Sequence, residues 1–450
     1  MQATSVKNNP SSKLFITIML LGLLPGCVKH PYFPPSPREE SADVVYGWYK
    51  LMAKIQLNTT PPQVTLQNIR NLSYVGVGLY EAVSPGIRGA VSLSSKLYQM
   101  PAMPAAGNEA YSWSASANAA LASLFRQLLG GLTDANKASM DSLEMVYNDL
   151  LRSHIPDAVF TRSQTFGRSI ATAIYNWSTT DNFSTSSVGY VLPVFPGSWV
   201  PTPPAFAPPL GPFLKDSRPF LQSSLTSALP PPPLPYSEDA SSSFYKAAKE
   251  LYDIGKALTP EQQATAHWWA DFGGPGIGFL AGVHPLNIVT DVLQSKNVKL
   301  GQAAEIYAKA SIAMHDGIFR TWRSKFHYNL VRPVTYINNI IDPAWTSYLP
   351  TPPYPEYTSG LVSLYAPAMQ VLKRTFGDIP VTDNTYTFRG DAPRNFDSFS
   401  KLVEEVALSR IYGGIHYRFT QNISVEFNKN FGDEVFSIKL VPSNHWNDDN

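Results

Sequence analysis

Asp43-Val44-Val45-Tyr46-Gly47-Trp48-Tyr49-Lys50-Leu51-Met52-Ala53-Lys54-Ile55 is the stretch that decides the fold class. Val44, Val45, Trp48, Leu51, Met52 and Ile55 recur every three or four residues, which lines one face of a helix with apolar side chains. The same period returns along most of the chain. Thr60-Pro61-Pro62 opens a second predicted helix through Ile69, Val75, Val77 and Tyr80, ending near Pro85-Gly86. Further helices are predicted over 108–129, 136–152, 161–177, 241–257, 260–271, 286–295, 300–323, 359–374 and 395–412. Apolar alternation of period two is scarce, and no repeat of 20 to 50 residues is visible. The expected fold is therefore all-α: two packed helical bundles, at 43–178 and 241–450, joined by a long irregular arm.

That arm, 179–240, is set apart by composition. Pro201, Pro203, Pro204, Pro208, Pro209 and Pro212 precede the run Pro230 to Pro233. A proline lacks the backbone N–H and fixes φ, so this density excludes regular helices and central strands. A long loop in a folded protein either functions or wraps, and the expected arm wraps the bundles and covers part of the site.

At the other end, Lys7 and Lys13 precede the apolar run Leu14 to Leu24, too short to span a bilayer. The run ends in Leu24-Pro25-Gly26-Cys27, which looks like a bacterial lipoprotein signal over residues 1–27. Cys27 is the expected lipidation site, followed by a Pro-rich tether at 28–42. Export to the bacterial cell envelope and membrane attachment through this lipid follow as expectations. Cys27 is the only cysteine, so no disulfide within the chain can form. Net charge is +1 with no basic block, which argues against nucleic acid as a partner.

Three segments in the last third carry the chemistry: Lys325-Phe-His-Tyr-Asn-Leu-Val-Arg332-Pro333, Tyr357-Thr358-Ser359-Gly360-Leu361, and Ser409-Arg410-Ile-Tyr-Gly413-Gly414-Ile-His416. Together they hold three cations, a hydroxyl, a glycine turn and an imidazole, the inventory that a tetrahedral oxyanion requires. On one continuous helix Lys325 and Arg332 would share a face about 10 Å apart, with Pro333 placing the arginine at the helix end. Pro352, Pro353 and Pro355 break the chain ahead of Ser359, which puts Ser359-Gly360 near a helix N-terminus, where anions are favoured. Arg410 and His416 are about 120° apart on a straight helix, so they meet one ligand only if Gly413-Gly414 bends the chain.

This constellation resembles the vanadium-dependent haloperoxidases and the type 2 phosphatidic acid phosphatase superfamily to which they belong. The family pattern is a Lys with six residues before Arg-Pro, then Pro-Ser-Gly-His, then Ser-Arg with five residues before His. The first and third blocks match. In the second, Thr358 stands for the Pro and Leu361 for the His. The likeness is best over about 260–435. Trp48, Thr60-Pro61-Pro62, Arg70 and Tyr80-Glu81-Ala82-Val83 also resemble the N-terminal half of bacterial haloperoxidase-like proteins.

The resemblance implies a helical fold and vanadate as cofactor, with phosphate as its isostere, and no haem, flavin or nicotinamide. Lys325, Arg332, Ser359, Gly360 and Arg410 would bind the anion, and His416 would be the axial vanadium ligand or, in a phosphatase, the phosphorylated nucleophile. Lys325, Arg410 and His416 would be the catalytic residues. Hydrogen peroxide with halide, or else a phosphoester, would be the substrates.

Leu361 removes the family's proton-handling group, and a general acid–base is worth about 10²–10⁴ in rate. Three functions remain open: a haloperoxidase impaired by Leu361, an acid phosphatase acting through phospho-His416, and a catalytically silent anion-binding surface lipoprotein. Thr420, four residues after His416 where many phosphatases carry an Asp, weighs against the second. His284, His315 and His327 are candidate substitutes for the missing imidazole. Asp271, Asp316 and Glu405 are candidate partners of the arginines. Trp268, Trp269 and Trp322 read as core or pocket wall.

Overall fold

A computed structural model describes residues 34–274 and 278–442. The leader, Cys27 and residues 28–33 of the 28–42 tether lie outside the described residues. The chain opens with α1 (Asp43–Leu57), α2 (Thr65–Val83), α3 (Trp113–Leu128), α4 (Asp134–Arg152) and α5 (Asp157–Ser178). An irregular stretch follows, whose only helical elements are the 3₁₀ turn Leu214–Asp216 and the short α6 (Gln222–Thr226). Then come α7 (Ser243–Lys256), α8 (Pro260–Trp268), strands β1 (Phe272–Gly274) and β2 (Gly278–Leu280), α9 (His284–Ser295) and α10 (Leu300–Tyr328). After α11 (Pro333–Ile340) and α12 (Val362–Phe376), β3 (Val381–Asp383) and β4 (Arg394–Phe396) precede α13 (Phe399–Tyr412) and α14 (Arg418–Phe436). The two hairpins, β1 with β2 and β3 with β4, are antiparallel and short. The fold is all-α.

α10 organises the packing. Its 29 residues span about 44 Å and are buried on almost every side, the pattern of a helix at the centre of a core. It packs on α2 along one flank and on α12 and α14 along another. Two glycines set these approaches. A side chain at Gly76 of α2 would collide with Ser311, and one at Gly317 would collide with the Ser363 carbonyl entering α12. α10 therefore joins the helices of the first half to those of the second, and its C-terminal turn delivers Lys325.

Two features differ from the sequence expectation. Lys325 and Arg332 do not share a helix. α10 stops at Tyr328, Asn329 adopts the left-handed conformation (φ 48°) that asparagine tolerates, and Arg332 is the extended N-cap of α11. The two cations converge across a turn. α11 and α14 were absent from the predicted helices. The buried face of α14 is Thr420, Gln421, Ser424 and Asn428 before it reaches Phe431 and Val435, so the helix has no apolar stripe to read.

The irregular stretch runs over the second half of the chain. Trp199 N–H donates to the Asn329 carbonyl (2.7 Å) and Val331 N–H to that of Gly197 (2.8 Å). Leu210 N–H reaches the Pro353 carbonyl (2.9 Å), and Tyr328 donates its hydroxyl to the Pro230 carbonyl (2.7 Å). Among the described residues no helix is long and apolar enough to cross a membrane.

Candidate oxyanion site

Lys325, Arg332, Ser359, Arg410 and His416 come together at the end of α10, between the starts of α11, α12 and α14 and the end of α13. Lys325, Arg332 and Ser359 are wholly buried, and Arg410 and His416 nearly so. Lys325 Nζ donates to the carbonyls of Pro355 (2.9 Å) and Glu356 (3.0 Å). Arg332 Nε donates to the Tyr354 carbonyl (2.8 Å) and Nη1 to that of Ile415 (2.9 Å). Arg332 Nη1 also lies 3.3 Å from His416 Nε2. Arg410 donates Nε to Ser409 Oγ (3.1 Å) and Nη2 to the Trp269 carbonyl. Gly413 caps α13 and Gly414 takes φ +72°, the bend that turns His416 back toward Arg410.

Three polar atoms at this place have no partner among the described residues: Arg332 Nη2, Thr358 Oγ1 and Ser359 Oγ. Buried polar groups are nearly always paired, and an unmet one costs about 1–3 kcal/mol. A cluster of unmet donors among three cations, on the turn entering α12, fits a bound oxyanion.

His416 is oriented by a carboxylate that the sequence reading overlooked. Its Nδ1 lies 2.8 Å from Glu356 Oε1, which also accepts Tyr417 N–H (3.0 Å), while Thr420 donates to Oε2 (2.7 Å). A carboxylate on Nδ1 selects the Nδ1–H tautomer and leaves the Nε2 lone pair facing the cradle. Burial, with Arg332, Lys325 and Arg410 adding to it, holds His416 well below the usual imidazole range, so the ring is neutral. Burial likewise pushes Glu356 up to about 7, against the pull of Arg332, Thr420 and Lys325. Lys325 is driven well below the ordinary lysine range by burial and then by Arg332. Arg410 comes down to about 10 through burial, which Asp271 and three tyrosines oppose. A dense set of buried cations without an anion is electrostatically costly, and a bound anion relieves it.

Glu356 was available to a closer reading. It lies three residues before Ser359, in Pro355-Glu356-Tyr357, where only Asp342 and Glu356 are acidic between Arg332 and Ser359. The carboxylates expected to serve the arginines make their hydrogen bonds elsewhere. Asp271 takes His284, Tyr365 and Tyr386; Asp316 takes the Phe220 and Leu221 N–H groups with Ser224; Glu405 takes Trp269 and Arg394. Asp271 still acts on Arg410 through its charge.

A cavity of about 320 Å³ opens beside the cradle. Leu66, Ile69, Leu210, Ile318, Trp322 and Leu361 give it apolar walls, and Gly360, Arg410 and His416 form its polar end. None of the three candidate histidines lines it. His284 is clamped between Asp271 and Asp383, both at 2.8 Å; His315 bonds Asp316 and stacks on Phe220; His327 is exposed. Trp322 is a wall of the cavity, whereas Trp268 bonds Asp383 and Trp269 stacks on His284.

Known proteins share this fold. The family model described as the VCPO second helical-bundle domain matches residues 305–441. A bacterial vanadium-dependent iodoperoxidase structure shares 29% identity at a TM-score of 0.77, over 90% of this chain and 97% of its own. A bacterial vanadium-dependent chloroperoxidase shows the same fold in its apo form, with 17% identity, TM-score 0.65, and 89% and 98% of the two chains covered. Its holo form gives 16% identity, TM-score 0.59, and 85% and 94% covered. No curated protein matches the sequence. Residues 305–441 thus match a haloperoxidase domain family, and most of the chain shares the fold of bacterial vanadium-dependent haloperoxidases.

Proposed function

We propose that this chain is a vanadate-binding peroxidase of the haloperoxidase type, acting on hydrogen peroxide and halide. The observation that carries the reading is the set of unpaired Arg332 Nη2, Thr358 Oγ1 and Ser359 Oγ, together with a neutral His416 whose Nε2 lies 3.3 Å from Arg332 Nη1. Lys325, Arg332, Arg410, Ser359 and the Gly360 turn would hold the oxyanion, and His416 Nε2 would offer it a nitrogen ligand. Vanadate, when bound, supplies the peroxide activation that makes halide oxidation possible. The protein's own part is to neutralise the anion's charge, to fix the His416 tautomer through Glu356 and Thr420, and to keep bulk water out with apolar walls. Leu361 offers no proton, so turnover is expected to be slow unless another group serves. Cys27 lipidation and attachment to the cell envelope belong to the same proposal.

A second reading has one observation in its favour. Glu356 and Thr420 together supply the orientation of His416 that a lone Thr420 could not, which suits a histidine nucleophile attacking a phosphomonoester. Titration of the purified protein with vanadate tests the shared site: saturable binding at micromolar concentration is expected, and no binding at high micromolar would remove both readings. Peroxide-dependent iodide oxidation, against trapping of phosphate on His416, separates them.

A further inference from the structure

We infer that Tyr354 carries the proton that position 361 cannot, which makes its phenol a catalytic group of this site; the inference rests on the oxyanion reading above. The titratable side chains lining the cavity are Asp271, Tyr354, Arg410 and His416. Asp271 is fully enclosed, with Oδ1 accepting from His284 (2.8 Å) and Tyr386 (2.9 Å) and Oδ2 from Tyr365 (2.7 Å). Arginine does not release its proton in proteins. His416 has Nδ1 committed to Glu356, and its Nε2, beside Arg332 Nη1, is the nitrogen reserved for the anion in the reading above. Tyr354 is left. No hydrogen bond of its hydroxyl is found among the described residues, and Lys325 and Arg332 lie over its ring.

The placement is specific. The ring centroid lies 5.0 Å from Lys325 Nζ and 5.1 Å from Arg332 Cζ, with the Trp322 ring 4.9 Å away on the cavity wall. The Tyr354 carbonyl also accepts Arg332 Nε, so one residue both anchors the guanidinium and covers it. Lys325 from α10, Arg332 from the turn before α11 and Arg410 from α13 are the charged groups that face it. Burial holds the phenol protonated, while Arg332 and Arg410 favour the phenolate once the proton has left. A neutral donor whose conjugate base is stabilised by fixed cations is what a leaving oxygen requires.

For a phosphomonoester the step balances as follows. His416 Nε2 forms a bond to phosphorus, the ester P–O bond breaks, and the leaving oxygen takes the Tyr354 proton. Water then attacks phosphorus, the N–P bond breaks, and the phenolate takes the proton that the water gives up. No electrons are transferred. Were vanadate bound instead, the same hydroxyl would be a hydrogen-bond donor available to it.

Inorganic phosphate is the probe for the full chain, because it is transparent where tyrosine absorbs. Phosphate is expected to give an ultraviolet difference spectrum of a perturbed phenol that Tyr354→Phe abolishes while keeping the phosphate Kd within about threefold. With p-nitrophenyl phosphate or with peroxide and iodide, Tyr354→Phe should lower kcat by about 10²–10⁴ and leave KM nearly unchanged. Adding Leu361→His to that variant should restore at least tenfold. Phosphate binding with the same difference spectrum in both proteins would overturn the inference alone, as would unchanged kcat in Tyr354→Phe or a wild type that binds phosphate but turns over neither substrate. If wild type binds neither phosphate nor vanadate, the oxyanion reading falls with it.

Discussion

His284 and His416 are both sealed from solvent, and each has a carboxylate oxygen 2.8 Å from Nδ1, yet they carry opposite charge states. Burial alone would strip the proton from either ring. At His284 a second carboxylate, Asp383, lies 2.8 Å from Nε2, and the two aspartates hold its pKa up to about 10. At His416 the second nitrogen faces Arg332, with Lys325 and Arg410 nearby, and the pKa falls well below normal. The difference is in what stands opposite Nε2. An acid there makes a structural cation, tied to Trp268, Tyr365 and Tyr386 through its aspartates. A cradle of cations leaves a neutral nitrogen with a lone pair to give.

The comparison is broken most severely by removing one aspartate. Asp383→Ala leaves a buried imidazolium half-paired and should cost about 3–5 kcal/mol, read by urea or thermal unfolding. The sign with pH follows from the raised pKa. The contribution of His284 is fully present below its unfolded value near 6.5 and is lost as pH rises through about 10. Wild type and His284→Asn should therefore converge in stability across that window, and a gap that widened toward alkaline pH would contradict the assignment.

A change of intermediate size tests the other histidine. Glu356→Gln removes the charge that fixes His416 while preserving shape, and vanadate affinity should fall about 10–100-fold with little change in unfolding midpoint. Equal affinity in the two proteins would show that the cradle alone orients the ring. The smallest effect is expected at Ser359. Its hydroxyl has no partner among the described residues, so Ser359→Ala should leave the anion-free protein as stable or slightly more so. Phosphate affinity should fall about three- to tenfold, the worth of one neutral hydrogen bond, by calorimetric titration.

The identity of the cation set could be read from the sequence, though not the geometry that joins Lys325 to Arg332. Ser409-Arg410, the glycine pair and His416 lie within one bend that the glycines signal, whereas Lys325 and Arg332 flank a turn at Asn329 that a continuous-helix reading did not anticipate. Glu356 and Tyr354 could not be read in the same way. Their partners are Arg332, 22 residues from Tyr354, and His416, 60 residues from Glu356, and no local period relates them. α14 escaped for a related reason: its inner face is polar because it backs onto the site, where Thr420 supports Glu356 and Ser424 accepts Ser359 N–H.

The sequence by itself determined the all-α class, because a 3.6-residue apolar period is a local property, and it determined which side chains were available to hold an anion. The tertiary structure decided which of them face one another: the carboxylate that sets the His416 tautomer, the phenol that covers two cations, and the aspartates that turn His284 into a cation. Charge states in a sealed interior depend on neighbours a few ångströms away, and those neighbours are assembled by packing α10 against α2, α12 and α14.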